Sequence, residues 1–290
     1  SDPDGSAMDH VPGTDVWHLT YRLPADWRGS YVIDADGHRP DPLCHATIGV
    51  DAQVRSLAEL PDAPAQPYLA PCPGVPRGTV SEHTVAGRRV WRYLPPVASD
   101  RPLPLLVILD GDLWSGELGL ATTLDNLIAD GVVPPVAAAM VACGEGPART
   151  TLLSDPAFAE WLAGDLLDEL RAAWPVSPEP TATAVAGQSM GGLAAVRTAV
   201  GHPGRVANLV SHSASMWFPA EPPVAPATRL AELRAWVEVG TDEWINLDPN
   251  RALAAALADA GAHVWPREYH GGHDRACWRG AIAEALIAVF

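Results

Sequence analysis

From residue 79 onward the chain alternates short apolar runs with segments of helical periodicity. The runs have the length of strands buried on both faces, as in a parallel sheet. Strands that alternate with helices predict an α/β fold in which helices cover both faces of a mostly parallel sheet. VSEHTVAGRRVWRYL is typical of a hairpin that precedes them. The predicted strands lie in PLPLLVILDG, PPVAAAMVACG, TATAVAGQ, RVANLVSHSAS, AWVEVGT and HVWPREYHGG.

One long helix is predicted within 156–174, where large apolar residues recur at steps of three and four and therefore share one face. Acidic residues lie off that face. The apolar positions are Phe158, Trp161, Leu162, Leu166, Leu170 and Trp174, and the acidic ones are Asp165, Asp168 and Glu169.

The N-terminal part of the chain has a different pattern. Residues 17–22 and 30–33 have the alternation and the β-branched or aromatic content of short strands, interrupted by proline and glycine. Residues 60–78 are too rich in proline to form a helix or a central strand. We therefore predict a small β-rich N-terminal domain (1–59), a linker (60–78) and a large α/β domain (79–290).

The net charge of the chain and its apolar runs indicate which kinds of partner and location to expect. The 290 residues carry a formal net charge of −16, which argues against nucleic acid or an anionic membrane as partner because both select a cationic surface. The sequence contains no uninterrupted apolar run of the roughly 20 residues that a spanning helix needs. Its first ten residues, SDPDGSAMDH, lack a signal-peptide pattern, so we expect a cytoplasmic protein.

The cysteines do not predict a metal site. They are far apart in the sequence and form no C-x-x-C pair, and the histidines also lack ligand spacing. A cytoplasmic location further argues against a disulfide. We therefore expect no metal and no cofactor. The cysteines are Cys44, Cys72, Cys143 and Cys277.

The strongest chemical signal is G-x-S-x-G, which Gly187 to Gly191 match between a predicted strand and a predicted helix. This is the context of a nucleophile elbow, the strained turn that exposes a reactive serine in α/β-hydrolases. Glycines flank the serine because strand and helix approach each other closely there. The pattern predicts Ser189 as a nucleophile at the carboxyl end of its strand.

A serine nucleophile needs a base and an acid that orients the base, which follow it in the chain order serine, acid, histidine. His273 follows a late strand and precedes the last helix, and is the best candidate for the base. The acid is Asp242 or Glu243, directly after the strand in VEVGT, and spacing alone does not separate the two. We interpret Asp248 as the N-cap of a helix.

Two backbone N–H groups should stabilise the oxyanion that forms on the attacked carbonyl. Elbow geometry assigns one to Met190, the residue after the nucleophile. The turn after the strand in LLVILDGDLW offers Asp112 for the other, and Asp110 is interpreted as a turn-forming residue.

In these and neighbouring segments the sequence resembles a known family, the enterochelin esterases, which are cytoplasmic hydrolases that cut the triserine lactone of catecholate siderophores. The resemblance runs from about residue 11 to the C-terminus. It rests on PGTDVWHLTYRLPADWRGSYVI, VILDGDLW, VAGQSMGGLAA, SHSASMW and GGHDRACWRGAI. It implies a small N-terminal β domain before an α/β-hydrolase domain.

Position by position, the resemblance implies Ser189 as nucleophile and His273 as base. It favours Glu243, three residues after the strand-ending glycine, as the acid, with Asp242 in reserve. It also implies Asp112 and Met190 as the oxyanion donors. The resemblance extends to three substrate-binding residues, two tryptophans that could stack on an aromatic acyl group and an arginine that should face an anionic substrate. These are Trp114, Trp217 and Arg149.

Three departures from the family pattern cluster on the substrate side. Leu152 stands where the family has glutamate, in a segment one residue shorter. ACGEG replaces the aspartate that ends the preceding strand, and the segment before Trp17 looks shorter than a complete N-terminal domain. Ester hydrolysis is therefore better supported than the identity of the siderophore.

The sequence thus predicts a cofactor-free serine esterase acting on a siderophore trilactone, or a related nonribosomal-peptide lactone, through an acyl-enzyme. Two alternatives stay open. One keeps the triad but takes a carrier-bound thioester, as a thioesterase or acyltransferase does. The other is a non-catalytic binding module with the same fold, which the presence of serine, acid and histidine in the expected order argues against.

Overall fold

The computed structural model of the protein describes residues 6–49, 53–97, 100–218 and 230–290. The N-terminal region is built from short antiparallel strands, which confirms its predicted β-rich character. β3, β7 and β6 form one sheet, and β1–β2 and β4–β5 form two further pairs. These strands are β1 (Asp9–His10), β2 (Trp17–His18), β3 (Arg28–Tyr31), β4 (Ile33–Asp34), β5 (His38–Arg39), β6 (Thr47–Ile48) and β7 (Arg55–Glu59). Residues 60–78 contain no helix or strand.

An eight-stranded sheet forms the centre of the rest of the molecule, in the order β15-β14-β13-β12-β10-β11-β9-β8. Six neighbouring strands, from β15 to β11, are parallel, and the β8–β9 hairpin adds two antiparallel strands at one edge. The strands are β8 (Thr79–Val85), β9 (Arg88–Leu94), β10 (Leu105–Leu109), β11 (Ala137–Val141), β12 (Thr183–Gln188), β13 (Asn208–His212), β14 (Arg234–Gly240) and β15 (His263–Tyr269).

Helices cover both faces of this sheet, as predicted, and bury one apolar cluster on each. One face carries α3 to α7, and the other carries α1, α2 and α8. The helices are α1 (Gly111–Ser115), α2 (Leu120–Ala129), α3 (Gly146–Ser154), α4 (Pro156–Trp161), α5 (Leu167–Ala173), α6 (Met190–Gly201), α7 (Trp244–Asp259) and α8 (Arg275–Val289). The predicted α/β-hydrolase architecture is confirmed. No helix in the described ranges is long and apolar enough to cross a bilayer.

The helix predicted within 156–174 is present with one irregularity. A π-helical turn, Leu162–Leu166, joins α4 to α5. Its predicted apolar face packs into the core, and Asp165 and Asp168 are exposed. The insertion of a π turn shifts the register by a fraction of a turn without exposing the apolar face.

Two predictions about the last strands and helices were wrong. We expected HVWPREYHGG to supply a strand buried on both faces, but β15 is an edge strand and is mostly exposed. Pro266 fits an edge because it cannot donate a ladder hydrogen bond. We expected Asp248 to cap a helix, but α7 already begins at Trp244 and includes Pro249 in its second turn. Asp248 instead forms an exposed ion pair with Arg251 at 3.2 Å.

Candidate active site

Ser189 lies at the carboxyl end of β12, in the sharp turn before α6. Its backbone angles are φ 57° and ψ −124°, a conformation that non-glycine residues rarely adopt. Close packing explains the glycines on both sides: a Cβ on Gly187 would lie 2.3 Å from the carbonyl oxygen of Gly191, and one on Gly192 would lie 2.9 Å from Ala214 Cα. The local sequence therefore builds a strained turn with the serine at its apex.

The loops after β14 and β15 bring Glu243 and His273 together. His273 Nδ1 and Glu243 Oε2 are 2.6 Å apart, and a hydrogen bond of this length fixes the ring with Nε2 free. Asp242, the reserve acid, has another partner, because its Oδ2 accepts a hydrogen bond from the Trp27 indole at 2.8 Å. The structure thus pairs the histidine with the second of the two neighbouring carboxylates.

Glu243 is buried, and donors surround both of its carboxylate oxygens. Oε1 accepts from Ser213 Oγ at 2.5 Å, the Gly240 N–H at 2.8 Å and Tyr269 OH at 3.0 Å. Oε2 accepts from Asn246 Nδ2 at 2.9 Å in addition to His273. Burial alone would raise the pKa of Glu243, but the hydrogen bond and charge of His273 and the bonds from Ser213 and Gly240 together lower it. Glu243 is therefore held as an oriented anion.

The residues that hold Glu243 in place were not predicted from the sequence. Ser213 occupies positive φ, at 48°, directly after β13. Trp278 donates its indole N–H to Ser213 Oγ at 3.1 Å and meets the His273 ring edge to face, with centroids 4.7 Å apart. Both lie in segments that carried the family resemblance, SHSASMW and GGHDRACWRGAI. The resemblance in those segments was the only indication that these two residues contribute to the site, and it does not tell which side chain contacts Glu243.

The structure places Ser189 and His273 at the same edge of the sheet, since their loops follow the carboxyl ends of two parallel strands, β12 and β15, that are separated by β13 and β14. Among the described residues, Ser189 Oγ forms its hydrogen bond with Ser215 Oγ at 3.4 Å, and no hydrogen bond joins it to His273. Catalytic hydrogen bonds often tighten only once substrate is bound. The serine is thus in place, with its hydroxyl turned to Ser215.

Both candidate oxyanion donors lie at the starts of helices. Met190 is the first residue of α6, and Asp112 is the second residue of α1. Neither backbone N–H donates a hydrogen bond within the part of the chain that the structure describes. N–H groups in the first turn of a helix have no partner inside that helix, which leaves them free to bind an anion.

Asp110 connects the two segments that carry these donors. It is buried at φ 60°, directly before α1, and its carboxylate accepts two hydrogen bonds from Arg149, at 2.5 and 2.6 Å. A third bond comes at 2.8 Å from Nε2 of Gln188, the residue before Ser189. A Cβ on Gly191 would lie 3.3 Å from Asp110 Oδ2. Asp110 therefore does more than form a turn: it fixes α1 against the elbow.

Arg149 does not have the environment expected of a residue that faces substrate. The bidentate ion pair with Asp110 occupies two of its nitrogens, and only 22% of its side chain is exposed. Burial lowers the pKa of Arg149, but the hydrogen bond and charge of Asp110 outweigh it and raise the pKa. Its charge is neutralised by a buried carboxylate, so its observed role is to hold the Asp110 turn.

The two tryptophans differ in exposure. Trp114 was expected to stack on substrate, and this was wrong, because the side chain is completely buried and its indole N–H donates to Gln188 Oε1 at 3.1 Å. The pattern of α1 is too short to tell which face is buried. Trp217 is 46% exposed, two residues beyond Ser215. It remains available to a ligand.

A cleft of about 420 Å³ opens beside His273. One wall is the start of α8, and the opposite wall belongs to the N-terminal β strands. No group of three or more histidine, cysteine or acidic residues within the described ranges is arranged to hold a metal ion. The lining includes Ser30, His38, Gln53, Arg55, Glu117 and Arg275.

Comparison with known families matches the chain in two parts. Residues 81–289 match the family described as "Putative esterase", and residues 1–35 match "Enterochelin esterase, N-terminal". A relative from Dickeya dadantii, named iron(III) enterobactin esterase, is 32% identical over 98% of this chain and 79% of its own.

Solved structures agree with these matches. The ferric enterobactin esterase of Salmonella typhimurium superposes with a TM-score of 0.81 at 28% identity, covering 97% of this chain and 83% of that one. The Shigella flexneri enterobactin esterase, determined in the presence of 2,3-dihydroxy-N-benzoyl-serine, gives a TM-score of 0.78 at 28% identity, covering 97% and 84%. The similarity thus includes the N-terminal strands as well as the large sheet.

Proposed function

The chain belongs to the esterase family that includes the iron(III) enterobactin esterases, and from this membership we propose that it hydrolyses the ester bonds of a catecholate siderophore trilactone. It is a carboxylic ester hydrolase of the α/β-hydrolase fold acting on a small-molecule ester. The observation that carries the proposal is the Glu243–His273 pair at the sheet edge that also presents Ser189 in a strained elbow.

In the proposed mechanism Ser189 Oγ attacks the lactone carbonyl as His273 Nε2 takes the hydroxyl proton. Glu243 stabilises the imidazolium through Nδ1. The Met190 and Asp112 N–H groups stabilise the oxyanion, and each donor of this kind contributes about 3 kcal/mol in comparable enzymes. The carbon–oxygen ester bond then breaks and the departing alkoxide takes the proton from His273. Water activated by the same histidine hydrolyses the acyl-enzyme and restores Ser189.

The exposed indole of Trp217 is proposed to contact the aromatic acyl group. We propose the ferric siderophore as the substrate. We propose no nucleic-acid partner and no membrane partner. The cytoplasm is the proposed compartment, which free thiols at Cys44 and at the exposed Cys72 support.

We further propose the domain division made from the sequence, with residues 1–59, 60–78 and 79–290 as N-terminal domain, linker and catalytic domain. It is supported by the start of β8 at Thr79 and by the absence of helix and strand from 60–78.

The proposal is tested by incubating the protein with ferric and iron-free enterobactin and following the products by mass. We expect release of 2,3-dihydroxybenzoyl-serine units from the wild type. The Ser189→Ala variant should release none and should not react with a fluorophosphonate probe that labels the wild type. Wild-type protein that neither labels nor hydrolyses either trilactone would refute the assignment.

A further inference from the structure

The cleft beside His273 lies between the catalytic domain and the N-terminal strands, and hydrogen bonds fix its two walls to each other. Ser30, in β3, donates both its backbone N–H and its hydroxyl to Asp274 Oδ2, at 2.6 and 2.7 Å. Asp274 follows His273 directly and caps α8 through the N–H of Ala276 at 2.8 Å. The N-terminal strands are therefore held in register with the loop of the base.

Arg55 extends this connection into the cleft. Its Nε donates to Ser30 Oγ at 2.8 Å and one of its terminal nitrogens donates to Ser30 O at 3.4 Å. Both acceptors are uncharged, and none of the carboxylates that the structure describes forms an ion pair with Arg55. The guanidinium thus lines the same cleft as His273, and only the Ser30 hydroxyl connects it to the Asp274 carboxylate.

Arg275, the other arginine that lines the cleft, differs from Arg55 because it forms an ion pair. Arg275 Nη1 lies 3.1 Å from Oε2 of Glu117, whose side chain is only 5% exposed, and it also donates a hydrogen bond to Gln53 Oε1 across the cleft at 3.3 Å. Its charge is compensated by a buried carboxylate. Arg55 is therefore the arginine of this cleft that has no direct carboxylate partner among the described residues, and it is the cation that the N-terminal wall offers to a ligand.

The candidate substrates differ in charge. Six catecholate oxygens around Fe³⁺ leave a trianion, whereas iron-free catechols are phenols with pKa values of about 10 and stay largely protonated at neutral pH. A protein of net charge −16 repels a trianion at long range, so binding of the ferric form requires a local cation.

We propose that the N-terminal strands supply the residue that selects the iron-loaded substrate: Arg55 binds the anionic tris-catecholate group in the cleft beside His273. This inference rests on the proposed function, because it concerns the charge state of that same substrate. It gives the N-terminal strands a part in substrate recognition, since they hold a cation beside the catalytic base.

The test compares KM and kcat on ferric and iron-free enterobactin for the wild type, Arg55→Gln, Arg55→Lys and Arg251→Gln. Arg251→Gln removes one positive charge from α7, outside the cleft, and is therefore the matched control. For Arg55→Gln, KM for the ferric form should rise about tenfold more than KM for the iron-free form, as expected for loss of a charge-assisted contact. Arg55→Lys keeps the charge and should recover most of the preference, and Arg251→Gln should leave both KM values unchanged.

A thermal unfolding midpoint equal to that of the wild type shows that each variant is folded, and Arg55→Met, which also removes the charge, replaces Arg55→Gln if the latter is not folded. In that case a rise in the ratio of ferric to iron-free KM supports the inference, and a wild-type ratio overturns it. Equal effects of Arg55→Gln on the two substrates, with an active wild type, overturn the inference and leave the proposed function intact. A wild type that hydrolyses neither trilactone overturns both.

Discussion

Two neighbouring carboxylates after β14 have different partners, and this gives them different expected roles. Replacing Glu243 by glutamine removes the anion that orients His273 and stabilises its imidazolium, so we expect kcat to fall by about a thousandfold or more. Asp242→Asn keeps an acceptor for the Trp27 indole and should leave kcat within about threefold of wild type. Steady-state hydrolysis of a chromogenic ester measures both. The opposite order of effects would make Asp242 the acid.

Glu243 should also affect stability in acid. Its pKa in the folded protein lies below the ordinary value of 4.5. Such a carboxylate stabilises the fold at pH values above its unfolded pKa, and this stabilisation is lost as pH falls through the folded pKa. The free energy of unfolding of the wild type should therefore fall more steeply below pH 4.5 than that of Glu243→Gln. Urea unfolding at a series of pH values measures this, and parallel curves would contradict it.

At the scale of elements, the elbow depends on the close approach of β12 and α6. A methyl group on Gly187 would lie 2.3 Å from a backbone oxygen of Gly191, which cannot move without displacing the start of α6. We expect Gly187→Ala to lower the free energy of unfolding by about 2 kcal/mol or more and to slow labelling of Ser189. Gly201→Ala, at the other end of α6, meets no atom within 4 Å and should be neutral or stabilising by up to about 1 kcal/mol. Equal unfolding midpoints for the two variants would exclude this account.

The sequence allowed the parallel strands to be predicted because both faces of β10, β11 and β12 are covered, which produces uninterrupted apolar runs. The same rule failed for β15. The apolar residues of β15 are followed by Pro266 and charged side chains. Whether a strand lies at an edge depends on the order of all strands in the sheet, and a local sequence pattern does not encode that order.

The glycines around Ser189 were predictable, because the close approach of strand and helix demands that residue type there. The partners of the site side chains were not predictable where they are distant in the sequence. Ser213 and Tyr269 donate to Glu243 from 30 and 26 residues away, and the pairing of Asp110 with Arg149 spans 39. The burial of Trp114 is also set by the packing of α1 on the sheet. Contacts of this kind follow from the assembled sheet and leave no periodic signal in the sequence.

At the scale of the molecule, the N-terminal region is attached to the loops that carry Glu243 and His273. Besides Ser30, the Arg28 N–H donates to His270 O at 3.1 Å, and the Trp27 indole bonds Asp242. His270 also lies 2.6 Å from Asp26. These contacts all fall on the loops after β14 and β15, which carry the proposed acid, Glu243, and the proposed base, His273. The N-terminal strands therefore brace the site as well as forming one wall of the cleft.

The net negative charge of the protein repels a trianionic substrate, whereas Arg55 attracts it. The dependence of kinetics on salt concentration distinguishes the two effects. Raising the ionic strength shortens the Debye length from about 30 Å at 0.01 M to about 3 Å at 1 M, which weakens both the general repulsion and the local attraction. The general repulsion is nearly the same in wild type and Arg55→Gln, so it cancels in the ratio of their kcat/KM values on ferric enterobactin. We expect this ratio to fall toward one as salt is added, while the corresponding ratio for Arg251→Gln stays close to one throughout. A ratio for Arg55→Gln that is independent of salt would mean that Arg55 acts through packing and that its charge contributes nothing to binding.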